Sequence, residues 1–193
     1  MIRVKLTNKP LLTRFWRDRR GVSAIEFAII APVMIAVYFG VGELSGGMMS
    51  ERRASDVAST IGDLAAQCPR LNQADIDDIF GAATTLMTPF SATTIKMRLS
   101  SVVVESGSPT LKWSRSKNYS DATSAASLGL PAGMITQNGE SVIVAEAVYT
   151  YTSPASYVVK NGLTFNEKFF LAPRKTGSIA YTAGSTPADS CAA

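Results

Sequence analysis

Three groups of side chains in this sequence have chemistry to offer. Glu26 is a lone carboxylate inside an otherwise uncharged stretch from Val22 to Gly42, Cys68 and Cys191 are the two cysteines, and Asp75, Asp77 and Asp78 form a small acidic cluster. A carboxylate among apolar residues asks for a cationic partner, two thiols can close one disulfide, and clustered carboxylates are what hard cations take. With 0 His in 193 residues, a Ser-His-Asp or Cys-His nucleophile, a His-ligated metal and a His proton shuttle are excluded. The cysteines lack the CxxC or clustered spacing of a structural zinc or iron–sulfur site. The aspartates lack the glycine-containing loop and downstream glutamate of a calcium loop, and read better as acids at the positive end of a helix dipole. No GxSxG, SxxK or Walker pattern sets a Ser, Lys or Asp in an activating context. No catalytic residue, metal site or cofactor is expected, and the protein reads as a non-enzyme.

The elements that position these groups follow from charge and hydropathy. Residues 1–20 carry seven Lys or Arg (Arg3, Lys5, Lys9, Arg14, Arg17, Arg19, Arg20) against one acid, Asp18, so this segment is +6 while the remainder is −2. The body of the chain therefore has no electrostatic footprint for nucleic acid. Phe27 to Gly42 is 16 residues without a charge, and extending it back to Val22 adds only Glu26. As a helix, 22–42 rises about 31 Å, which matches a hydrocarbon core of roughly 30 Å. Pro32 falls inside, but unpaired backbone in lipid costs more than a kink, so the helix is expected to continue through it.

Basic flanks fix the orientation. The excess of Lys and Arg before the apolar stretch keeps the N-terminus in the cytoplasm and sends residues 44–193 across the membrane, in bacteria to the periplasmic side. That compartment is oxidising, so a Cys68–Cys191 bridge is expected there, the alternative being two thiols that never meet. A cleavable secretory signal would be followed by an A-x-A-like site, whereas Val41-Gly42-Glu43-Leu44-Ser45 follows here. A plain single-pass anchor fits the hydropathy equally well but offers no reason to keep Glu26, because an acid in a membrane helix costs up to about 3 kcal/mol at mid-depth.

The residues around Glu26 form a larger pattern: Arg19-Arg20-Gly21-Val22-Ser23-Ala24-Ile25-Glu26-Phe27, a basic pair, a glycine, four small or apolar residues, a glutamate and an aromatic, directly ahead of the uncharged run. This resembles the class III signal of type IV pilins and pseudopilins. With Ala28, Ala31-Pro32-Val33 and Phe39-Gly40-Val41-Gly42-Glu43 it is similar to the TadE-like family of minor pseudopilins of tight-adherence (Tad/Flp, type IVc) pilus systems, over residues 19 to about 65. Val142 to Tyr151 is similar to a late strand of that family, and Ala172-Pro173-Arg174-Lys175 is loosely similar to its ending. Phe27 stands where major pilins usually have Tyr, and the chain is much longer than they are, which favours a minor subunit.

The resemblance implies cleavage by a membrane prepilin peptidase between Gly21 and Val22, with the leader lost and the helix retained. Glu26, beside Phe27, would then neutralise the new Val22 ammonium of an adjacent subunit and set axial register, because a subunit out of register leaves a buried unpaired charge. The implied partners are the prepilin peptidase, the major pilin and other minor pseudopilins, the inner-membrane assembly platform and membrane lipid, in a pilus used for adhesion. The rival from another class is a single-pass membrane-anchored binding or adhesin domain that never enters a filament.

Beyond the membrane the expected fold is α+β. The long helix continues over Leu44 to Gln67 with Val57, Ile61, Leu64, Ala65 and Cys68 on one face; Gly46-Gly47 either loosen it or admit a close neighbour. Asn72 caps a second helix from Gln73 to about Met87, ended by Pro89. Period-two alternation, Ile95, Met97, Leu99 against Lys96, Arg98, Ser100, followed by Val102-Val103-Val104, reads as a strand. Thr110–Ser114 pairs back across the Gly107-Ser108-Pro109 turn, and Ser116 to Gly139 is a connection with little burial power. Ser141–Thr152, Phe169–Leu171 and Gly177–Thr182 add strands to an antiparallel sheet on the helix. The organisation expected is a cytoplasmic leader (1–21), a transmembrane helix (22–43), an exported domain (44–182) and a C-terminal tail (183–193) unless Cys191 staples it.

Overall fold

A computed structural model describes residues 21–153, 156, 160–183 and 191; the basic leader read from residues 1–20 lies outside them. The chain divides into two compact units, 1–42 and 43–193, each taken by itself. One helix, α1 (Val22–Ala66), contributes to both and runs through Pro32 without a break. In the first unit every residue from Val22 to Phe39 is exposed except half-buried Ala31.

The second unit is an α+β domain. After the end of α1 come β1 (Arg70–Leu71), α2 (Gln73–Thr85), β2 (Lys96–Glu105), β3 (Ser108–Lys117), β4 (Ser141–Tyr151), β5 (Leu163–Leu171) and β6 (Ala180–Tyr181). The main sheet has strand order β3-β2-β4-β5 with every pair antiparallel. β6 instead pairs in parallel with β1, forming a small second sheet. β5 is six residues longer at its start than the apolar triplet Phe169–Leu171 indicates, because Leu163 and Phe165 alternate with polar residues that only the sheet edge makes acceptable.

One face of the sheet packs on α1. Ala54, Val57, Ala58, Ile61 and Ala65 share a core with Met97, Leu99, Ile143, Ala145, Ala147, Tyr149 and Tyr151, joined by Ile76, Ile79, Phe80 and Ala83 of α2. Glycines set the spacing: a Cβ on Gly46 would lie 2.4 Å from Tyr151 Oη, and one on Gly62 would lie 2.9 Å from Ala145 Cβ. The Gly46-Gly47 pair thus admits a close neighbour while the helix stays intact.

The capping of α2 is reciprocal. Asn72 accepts the Asp75 N–H at 2.9 Å, and the Asp75 carboxylate accepts the Asn72 N–H at 3.0 Å. The helix stops at Thr85, short of Met87, where Leu86, Met87 and Thr88 donate three residues back, the tightened turn that closes many helix ends.

The other face of the sheet corrects the sequence reading. Met97 to Val104 are all buried, including Arg98 and Ser100, the polar members of the alternation. The connection between β3 and β4 is the reason. Its short 3₁₀ turn, Ala125–Leu128, brings Ala125 and Leu128 onto Val102, Val142 and Val144 as a second core. A Ser/Ala/Gly-rich composition hid this burial: the few apolar side chains scattered along the connection, with Ala122, Leu130 and Ile135 packed beside Ala125 and Leu128, cover the strands without any periodic mark.

The C-terminal segment straps the end of α1. The Arg174 N–H donates to the Ala66 carbonyl at 2.9 Å, and Thr182 N–H to Leu71 O at 3.0 Å. Trp113 Nε1 donates to Ile179 O at 2.8 Å, and the Arg174 guanidinium meets the Asp63 carboxylate. A disulfide joins Cys68 to Cys191 with Cα atoms 4.7 Å apart, and Cys191 N–H donates to Asp75 Oδ2 at 3.0 Å.

Candidate functional site

The head of α1 carries Gly21, Val22, Glu26 and Phe27, the residues expected from the sequence to take part in processing and register. Gly21 is exposed immediately before the helix, and a Cβ there would meet nothing within 4 Å, so its backbone is open to approach from outside. Val22 opens α1, and Glu26 follows four residues later, one turn up on the same side of the helix. Phe27 beside it is 72% exposed. Glu26 is itself exposed and has no hydrogen bond or ion pair among the described residues.

The surface that carries Glu26 is apolar all round. Ile25, Ile29, Ile30, Val33, Met34, Ile35, Val37, Tyr38 and Val41 are each more than half exposed, and a helix with no polar face is stable only in lipid or among other apolar helices. Among the described residues α1 is the one helix long and apolar enough to cross a membrane. The arrangement offers an apolar rod with a single anionic point near its end. It can pack, and it can pair one charge; it has nothing with which to activate a nucleophile.

Charge pairing inside the domain is what sequence reasoning missed. Arg98, Glu146 and Lys168 lie opposite one another across β2, β4 and β5. Glu146 Oε2 accepts from Arg98 Nε at 2.5 Å and its Oε1 sits 2.8 Å from Lys168 Nζ. Arg98 also donates to Ser120 O at 3.1 Å and stacks 4.7 Å from the Tyr119 ring centre, while Lys168 donates to Leu128 O at 2.6 Å. Arg98 and Lys168 each bond both Glu146 and a backbone carbonyl of the connection, which makes the cluster a clasp between the sheet and the connection that covers it. Its one signal in the sequence is a glutamate in the otherwise apolar run Val142–Tyr151. Among the described residues, no group of three or more His, Cys, Asp or Glu is placed to hold a metal ion; Asp75 is occupied by the helix cap and Cys191.

Residues 21–62 match the family model of TadE-like proteins, the family that the residues around Glu26 resemble. The match starts at Gly21 and ends within α1, so it covers the apolar rod and the first part of its continuation. No curated protein and no solved structure matches the chain.

Proposed function

We propose that this chain is a minor pseudopilin of a Tad/Flp pilus, contributing to assembly by subunit packing and not by catalysis. In this reading a prepilin peptidase cuts between Gly21 and Val22, α1 anchors the product in the inner membrane with its N-terminus cytoplasmic, and the domain is periplasmic until α1 leaves the bilayer for the filament. There it packs with the major pilin and other minor pseudopilins, delivered by the inner-membrane assembly platform. The Glu26 carboxylate meets the Val22 ammonium of a neighbouring chain and fixes the axial register.

One observation carries the reading: the matched family segment begins at the residue before α1, and one turn into that helix stands an exposed acid without an internal partner. The apolar exterior and the disulfide are both suited to the compartments proposed. N-terminal sequencing of the protein from membranes tests processing. A start at Val22 supports the pseudopilin, Met1 supports a plain anchored binding domain, and a start beyond Gly42 supports a secreted domain. Glu26→Ala is expected to spare insertion and processing while abolishing piliation, scored by electron microscopy of the cell surface; normal piliation in that variant would remove the register role.

A further inference from the structure

The uncharged run ends in the sequence at Glu43, but in the domain Glu43 is only 4% exposed. Its carboxylate therefore does not mark the end of the apolar exterior. On the side of α1 turned away from the sheet, Leu44, Met48 and Met49 are exposed by 52%, 59% and 52%, while Gly47, Ser50 and Ala54 on the packed side are buried. The first exposed charges are Glu51 and Arg52. Outside the domain, then, α1 presents no charge from Phe27 to Ser50. That stretch is about 36 Å of helix at about 1.5 Å per residue. It exceeds a hydrocarbon core of roughly 30 Å and falls within the roughly 40–45 Å that includes both headgroup layers.

Resting on the membrane-spanning reading above, we infer that Leu44, Met48 and Met49 lie in the outer headgroup and acyl boundary of the bilayer, so that the domain sits on the lipid surface. Lipid is the occupant because this face continues an apolar helix surface already long enough to span and stays uncharged until the exposed pair Glu51 and Arg52. Two methionines suit such a site, since unbranched side chains adapt to a disordered layer. The Leu44 to Met49 surface is thus a membrane-contacting face of the exported domain, acting before any filament forms.

Cysteine accessibility tests this. The full chain, carrying in turn Met48→Cys, Val33→Cys or Asp56→Cys, is reconstituted at high dilution in phosphatidylethanolamine/phosphatidylglycerol vesicles, opened by freeze–thaw, and treated with a membrane-impermeant maleimide. High dilution removes neighbouring chains as an alternative cover. Asp56 is exposed two turns beyond Met48 and reports a water-facing position. The inference requires that Asp56→Cys labels while Met48→Cys loses labelling as Val33→Cys does. Full labelling of Met48→Cys with Val33→Cys still protected overturns it and leaves the spanning reading standing. Labelling of Val33→Cys overturns the spanning reading and this inference with it.

Discussion

Glu146 illustrates what a single side chain does in this molecule. Its carboxylate is nearly buried between Arg98 and Lys168, and removing one partner of a buried pair leaves the other charge desolvated and uncompensated. Glu146→Ala is expected to cost about 3 kcal/mol, measured by thermal unfolding of the full chain in detergent. Glu140 acts more locally. The N–H groups of Gln137 and Thr136 donate to its carboxylate and hold its pKa below the ordinary carboxylate value. A depressed folded pKa means that this contribution is present above the unfolded value and lost as pH falls through the folded one. The protection factors of the Thr136 and Gln137 amides, which are exchange rates corrected for the intrinsic pH dependence of exchange, should therefore be higher near neutrality and fall on acidification, and Glu140→Gln should flatten that dependence. Glu146 could not be assigned a partner from sequence: Arg98 and Glu146 lie 48 positions apart, and only strand register brings them together. Glu26 differs, because its partner is proposed to lie on another chain, and its oddity among apolar neighbours is visible without a structure.

At the scale of elements, two glycines in helices predict opposite outcomes. A Cβ on Gly62 would press on Ala145 Cβ at 2.9 Å and on Leu171, whereas one on Gly81 meets nothing within 4 Å. Gly81→Ala should raise stability by about 0.5–1 kcal/mol through helix propensity alone. Gly62→Ala should lower it by about 1 kcal/mol, because separating α1 from the sheet outweighs that gain. Paired thermal unfolding of the two variants checks both signs. The elements themselves were largely legible: apolar spacing gives α1, Asn72 with Asp75 gives the start of α2, and period-two alternation gives β2. Their burial was less so. Alternation identifies one inward face, but Arg98 and Ser100 are buried because the 118–139 connection folds over the second face, and a low-hydrophobicity loop carries no periodic mark of that.

For the whole molecule, the disulfide ties the last residues to the end of α1 across 123 positions. In the chain-entropy account, closing so long a loop stabilises by about 4–5 kcal/mol. Cys191→Ser should lower the unfolding temperature of the full chain and expose Arg174 to Tyr181 to proteolysis, since the strap would then rest on a few hydrogen bonds and the Arg174–Asp63 pair. Reducing agent should reproduce the effect in the native chain and change nothing in the variant. Sequence by itself determined the apolar rod, the acid near its head, the absence of histidine chemistry and the α+β class, because each of these is fixed by composition or by short-range periodicity. Tertiary structure alone decided that Glu43 turns inward, that β6 joins β1 in parallel, that Arg98, Glu146 and Lys168 meet, and that the sheet is covered on both faces. These depend on contacts between residues far apart in the chain, where the energy of burial, and not the local pattern, selects the partner.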